Sequence, residues 1–222
     1  MFNEQQRMIR QTKMASLSML RNSGIIPDLV LDIGAQKGTE ELYSVFPESH
    51  HVMIEPVEEH KQTLLEICKG LPRAQVIIAA ASDQTGKSNI VVSSNYMYSR
   101  VYDPERQKSA DAITREIDLI RIDDFLDAAK ISGNILIKID VDGHEIKVLN
   151  GAIKTLKSTC YAVIEATIFG QIHDIIQFMH SNGFRLYDFL EPLYRKLDGA
   201  LWQTDMVFLP VNSPLFKYKA YS

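Results

Sequence analysis

The chain has 222 residues, 45% hydrophobic and 23% charged, with a formal net charge of −4. That balance describes an ordinary globular chain, and with a pI near 5.9 it argues against a duplex or RNA partner held on a basic surface. No apolar run approaches the roughly 20 residues of a membrane span. Arg7, Arg10 and Lys13 interrupt any signal-peptide core, so a cytoplasmic protein is expected, with Cys68 and Cys160 as small buried hydrophobes rather than a disulfide.

Residues 3–22 read as a helix ending at Ser23-Gly24, a natural C-cap. Packing against its own domain is the plain reading; a lid, a homodimer contact or a membrane-surface helix are the alternatives. Pro27 then opens the main unit. The expected division is a helical extension over 1–26 and one α/β domain over 27–222.

Leu29 to Ile33 form an apolar strand interrupted by Asp32, and Gly34-Ala35-Gln36-Lys37-Gly38 make a tight turn into a helix, Thr39 to Phe46, stopped by Pro47. A second strand, His51 to Ile54, ends at Glu55-Pro56. An acid roughly 20 residues beyond such a turn is placed to accept hydrogen bonds from ribose hydroxyls. A dinucleotide turn would read G-x-G-x-x-G and face a pyrophosphate. Here the pattern is D-x-G-x-x-x-G, one glycine short, and the Asp32 carboxylate suits an ammonium better than a phosphate. The expected ligand is a nucleoside that carries an ammonium group rather than a pyrophosphate. Asp32 and Glu55 should converge on it from adjacent strand tips, with Gly34, Ala35, Gly38 and Pro56 beside them.

A helix from Val57 to Lys69 and a third strand, Gln75 to Ala80, follow. Ser82 and Asp83 at that strand's carboxyl end are candidates for the base of the nucleoside. Residues 81–88 also satisfy a relaxed phosphate-loop pattern, but the strand-like Asn89-Ile90-Val91-Val92 follows instead of a helix, so a plain turn is the better reading. Residues 88–121 form an insertion with two short strands, Asn89–Val92 and Ile117–Ile120. Their connector carries Tyr96, Tyr98 and Arg100. Aromatic rings with polar tips suit a substrate lid.

Ile135 to Asp140 form a fourth strand, flanking the first across the switch point where open α/β sheets bind ligands. Lys138, Asp140, Asp142, His144 and Glu145 make its end the densest ionisable cluster in the chain. A helix start, with Asp142 as N-cap, accounts for Asp142 and Glu145 but not for Lys138 or Asp140. Convergent ionisable groups at a cleft mark chemistry. A fifth strand, Tyr161 to Glu165, precedes a helix, Ile172 to Ser181. Phe184–Leu190 and Leu201–Leu209 then lie too close in sequence for a crossover and must pair antiparallel. The expected fold is α/β, a mostly parallel seven-stranded sheet with a C-terminal antiparallel hairpin and helices on both faces.

With these motifs in view, the chain resembles the FkbM family of methyltransferases over about Pro27 to Pro210. The match rests on Leu31 to Gly38, Glu55-Pro56, Ala80 to Asp83, Lys138 to Glu145 and Gln203 to Phe208. Family members typically carry Asn at the place of Gln36 and Glu at the place of Asp142. The resemblance implies a Rossmann-like class I fold and S-adenosylmethionine-dependent O-methylation of a sugar, glycan or natural-product hydroxyl. On that reading Asp32 and the Gly34–Gly38 turn hold the methionine end, Glu55 the ribose, and Ser82 and Asp83 the adenine. Asp140 lies nearest the sulfonium and acceptor. Tyr96, Tyr98, Arg100, Asp142 and Glu145 serve the acceptor. His144, titrating near neutrality, is the first choice of base, and Asp140 the second. A divalent cation on Asp140 and Asp142 is an alternative. Two other classes fit the same residues: a nucleoside-binding protein without chemistry, and an NAD-dependent dehydrogenase, disfavoured by the missing glycine.

Overall fold

The computed structural model describes residues 12–93, 99–102, 112–129 and 132–217. In chain order the described residues form α1 (Lys13–Asn22), β1 (Leu29–Ile33), α2 (Glu40–Val45), β2 (His50–Ile54) and α3 (Lys61–Lys69). The series continues through β3 (Ala74–Ile77), β4 (Ala80–Ala81), β5 (Gly86–Val92), β6 (Arg100–Val101), β7 (Ile113–Ile120) and α4 (Ile122–Ala129). β8 (Ile135–Ile139), α5 (Glu145–Asn150), α6 (Ile153–Leu156), β9 (Thr159–Thr167), α7 (Ile172–Ser181), β10 (Phe184–Tyr194) and β11 (Leu201–Pro210) complete it.

The larger sheet has seven strands in the order β10-β11-β9-β8-β1-β2-β3. β3, β2, β1, β8 and β9 run parallel, and β11 is antiparallel to both β9 and β10. The chain leaves β1 towards β2 and β3 and returns beside β1 as β8, so the switch point lies between β1 and β8. Side chains alternate faces along each strand. Leu29, Leu31 and Ile33 therefore join one core with Ile135, Ile137, Val148 and Ile175, while Val30 joins another with Leu17, Leu42, Leu64 and Leu136.

α1 is built into that second core. Leu17 and Leu20 are fully buried, each worth about 1.5–3 kcal/mol of apolar burial. Ser16 and Tyr161 share a hydrogen bond, and Lys13 bridges Glu191 and Asp205. Among the described residues no helix is long and apolar enough to cross a membrane.

Four features depart from expectation. The third strand breaks after Ile77: β3 stays at the sheet edge, while β4 peels away to pair in parallel with β7. That pairing makes a second sheet, β4-β7-β5-β6, from the insertion. Within it β5 and β7 are longer than the expected Asn89–Val92 and Ile117–Ile120, registered from Gly86↔Leu119 to Val92↔Ile113. The sequence predicts one helix from Glu145 to Lys157 after the fourth strand, but it divides at Gly151, where a Cβ would stand 1.9 Å from the Ser82 carbonyl oxygen. α4 was not anticipated. Its Asp123 accepts from the backbone N–H groups of Lys154 and Thr155 at 2.9 and 2.8 Å, tying it to α6.

Candidate active site

The β1–α2 turn is shaped by contact with the end of β8. Gly34 has φ +76°, and a Cβ there would lie 1.8 Å from the Asp140 carbonyl oxygen. Only glycine permits both. Glu55 fastens the turn from the other side. Its Oε2 accepts from the Gln36 N–H and its Oε1 from the Val57 N–H, both at 2.8 Å. Burial raises the Glu55 pKa, with the two amides opposing the shift. Each oxygen retains a lone pair for a further donor.

Asp32 does not share that environment. It alternates onto the face of Val30 and is 1% exposed. There it accepts from Thr39 Oγ1 at 3.1 Å and from the Tyr43 hydroxyl. Burial, then the Asp32 charge, pushes the Tyr43 pKa up, so the phenol stays a donor. The expectation that Asp32 and Glu55 converge on one ligand is corrected: Asp32 supports the turn from behind, and its place on β1 follows from strand parity. Ala35 is buried in the same core, and Gly38 lies against Ile67 and Tyr43. Neither lines the cavity described below.

Lys138 is 5% exposed and faces Asp32, its register partner on β1. Its Nζ lies 3.3 Å from Asp32 Oδ1 and 3.4 Å from Asp140 Oδ2, and donates to the Gly34 carbonyl at 2.9 Å. Burial opposes the charge, but Asp140 and Asp32 outweigh it and raise the Lys138 pKa. Beyond Asp140 the chain turns through Asp142 at φ +50°. The residue is therefore not the N-cap of α5; that position belongs to His144. Glu145 reaches back to accept from the Gly143 N–H at 2.9 Å, and burial raises its pKa.

His144 Nε2 lies 3.0 Å from Ser82 Oγ, and that hydroxyl directs its hydrogen to Asp83 Oδ1 at 3.1 Å. Burial, with Lys147 nearby, lowers the His144 pKa to about 4. The expectation of a ring titrating near neutrality is overturned: the imidazole is neutral and weakly basic.

A cavity of about 670 Å³ opens over the switch point, within the usual range for small-molecule sites. Gly34, Gln36, Ile54, Glu55 and Pro56 line one end, over β1 and β2. Glu165, Thr167, Gln171, Trp202 and Gln203 line the other, over β9 and β11. Asp140, Asp142, His144 and Glu145 stand between, and Ile90, Arg100 and Val101 of the second sheet contribute a wall. The insertion is thus a wall of the site through Arg100. Tyr96 and Tyr98 lie outside the described residues. Ser82 and Asp83 do not line the cavity; Ala79, Ala80 and Ala81 do, because β4 turns away before residue 82. Among the described residues no cluster of three His, Cys, Asp or Glu is arranged to hold a metal ion.

Glu165 and Trp202 are site residues that the sequence reading does not single out, and Gln203 enters it only as part of the family match. The signal for Glu165 was present: an acid ends an apolar parallel strand, as Asp140 does. Trp202 had no local signal, since it reaches the cavity only because β11 inserts beside β9.

Residues 32–186 match the model of the methyltransferase FkbM domain. No curated protein matches the sequence. Among solved structures, a Streptococcus pneumoniae protein described as a tRNA methyltransferase, in complex with S-adenosyl-L-methionine, is 13% identical with a TM-score of 0.50, covering 88% of this chain and 72% of that one. The precorrin-6y C5,15-methyltransferase of Geobacter metallireducens is 12% identical with a TM-score of 0.48, covering 87% and 86%. The matched segment runs from Asp32 through both motifs to Leu186 and holds most of the cavity lining, and by it the chain belongs to the FkbM-domain methyltransferases.

Proposed function

We propose that this methyltransferase uses S-adenosylmethionine to methylate a hydroxyl of a sugar, glycan or natural product. The observation that carries the reading is the two-ended cavity: one end is walled by the β1 turn and Glu55, the other by Glu165, Gln171, Trp202 and Gln203. The first end fits the donor. Glu55 offers its remaining lone pairs to ribose hydroxyls. Ile54, Ala79, Ala80, Ala81 and Ile90 supply an apolar wall of the kind an adenine face needs. Asp140, rather than the sequestered Asp32, is the carboxylate available to a cationic group. When bound, S-adenosylmethionine supplies an electrophilic methyl carbon on a sulfonium.

The second end fits a neutral, hydroxylated acceptor. Its amides and Thr167 hydroxyl pair with hydroxyl groups, and the Trp202 ring offers a flat apolar face. Asp140 and Asp142 set two carboxylates in the wall between the two ends, which disfavours phosphorylated or carboxylated acceptors. What these residues contribute is alignment: an in-line displacement gains most from holding both reactants in place.

The test combines calorimetry with S-adenosylmethionine and S-adenosylhomocysteine with transfer of a tritiated methyl group to a panel of neutral methyl glycosides. Binding of both nucleosides and label in a glycoside is the expected result. Nucleoside binding with no transfer to any hydroxyl would assign the protein to nucleoside binding without chemistry. A stronger thermal shift from NAD than from S-adenosylmethionine would revive the dehydrogenase reading.

A further inference from the structure

The apolar rungs of the larger sheet stop at one level. Ile33 is in register with Ile139, Ile139 with Ile164, and Ile164 with Met206. One residue beyond stand Asp140 on the β8 side, Glu165 on β9, and Asp205 directly opposite Glu165 on β11. Neighbouring strands lie about 4.8 Å apart and residues in register project to the same face. The three carboxylates therefore form a row. The outer two have cations: Asp140 Oδ2 is 3.4 Å from Lys138 Nζ, and Asp205 Oδ2 is 2.6 Å from Lys13 Nζ. Among the described residues Glu165, between them, makes no ion pair. Asp205 is 5% exposed and stands behind the cavity wall, whereas Glu165 lines the cavity at its acceptor end.

We propose that Glu165 is the general base of the transfer, a catalytic role that rests on the hydroxyl-methylation reading above. The acceptor oxygen forms a bond to the methyl carbon as the carbon–sulfur bond breaks, and that bonding pair stays on sulfur. The hydroxyl proton passes to a Glu165 oxygen and leaves from there to water. The surroundings make this carboxylate basic. Burial first, then Asp140 and Asp205, raise its pKa to about 8, while Lys138 and Lys13 act in the opposite direction. These four groups face Glu165 from β8 and its following loop, from β11 and from α1. His144, held near 4, has far less affinity for a proton.

The test uses the full chain, tritiated S-adenosylmethionine and methyl glycosides from about pH 6 to 10, with nucleoside affinity followed in parallel. Wild-type turnover rises with pH through about 8 as Glu165 ionises. Glu165→Gln should lower kcat by about 10²–10⁴-fold, the usual worth of a general base, abolish that rise and leave S-adenosylmethionine affinity unchanged. Glu165→Asp should recover part of the rate. Wild-type turnover and pH profile in Glu165→Gln would overturn the assignment and leave the hydroxyl-methylation reading intact. No transfer by the wild type to any hydroxyl would overturn both. Should Glu165→Gln not fold, Asp205→Asn replaces it: removing that charge moves the rise to lower pH, and an unmoved profile overturns the assignment. Carbon-13 NMR of the Glu165 carboxyl gives a midpoint near 8, whereas one near 4.5, the ordinary value of a solvated glutamate, would equally overturn it.

Discussion

Lys138 Nζ donates to the Gly34 carbonyl oxygen at 2.9 Å while standing between Asp32 and Asp140. One buried ammonium thus fastens the glycine turn after β1 to the tip of β8, the two strands that flank the switch point. Lys138→Met removes the cation and leaves Asp32, 1% exposed, without its counter-charge. Breaking a buried pair in this way costs about 3–5 kcal/mol. The expected outcome is a lower urea midpoint together with weaker S-adenosylmethionine binding, because the turn lining the cavity loses its anchor. Stability at the wild-type level would show that Thr39 and Tyr43 alone hold Asp32.

Gly34→Ala tests the same junction by shape. The new methyl would meet the Asp140 carbonyl oxygen at 1.8 Å, at a φ of +76°. Backbone sits on both sides, so β1 or the β8 loop must shift. We expect a loss of nucleoside affinity of at least about tenfold and a lower thermal midpoint, read by calorimetry and thermal unfolding. Gly24→Ala is the control. It has a similar φ of +79° but nothing within 4 Å, and should cost strain without affecting binding.

The order of strands was legible because the parallel strands are short apolar runs, and β1, β2, β8 and β9 are each followed by a helix; β3, which runs on into β4 instead, is the exception. The site was legible where its residues are local: Glu55, Asp140, Asp142, His144 and Glu145 all line the cavity. What the sequence concealed depends on direction or on distant pairing. Asp32 belongs to the motif, yet strand parity turns it toward Tyr43. Asp142 reads as a helix cap, yet the turn places it at φ +50° and passes the cap to His144. Ser82 reads as the end of a third strand, but that strand breaks so that β4 can pair with β7, some 40 residues on. Glu165 and Trp202 enter the site through the order β8-β9-β11, which pairing across the whole chain decides.

His144 offers a spectroscopic check on its surroundings. A solvated imidazole titrates near 6.5, but burial and Lys147 lower this ring to about 4. Proton NMR of the ring protons should show one neutral species from pH 8 down to about pH 5, with the midpoint below that. His144→Ala should remove this low-pH titration and leave the rise in turnover near pH 8 in place. A midpoint near 6.5 would return His144 to the role of base.

His51 makes the acid stability of the fold predictable in sign. The ring is fully buried on β2, and its Nε2–H donates to the Phe46 carbonyl at 2.8 Å. Among the described residues its Nδ1 has no hydrogen-bond partner. Burial lowers its pKa below the 6.5 of a solvated imidazole, with the Phe46 carbonyl opposing the shift. The unfolded chain therefore binds a proton at this site before the folded chain does. Stability from the neutral ring is complete above about pH 6.5 and is lost as pH falls through the depressed folded value. Glu55 and Glu165, whose pKa values are raised, contribute the opposite slope, so the difference between wild type and a variant is the informative quantity. His51→Gln retains an N–H donor for Phe46 but does not titrate. Relative to it, wild-type urea midpoints should fall between about pH 6.5 and 5, and parallel midpoints across that range would show that the folded ring accepts a proton as readily as the unfolded one.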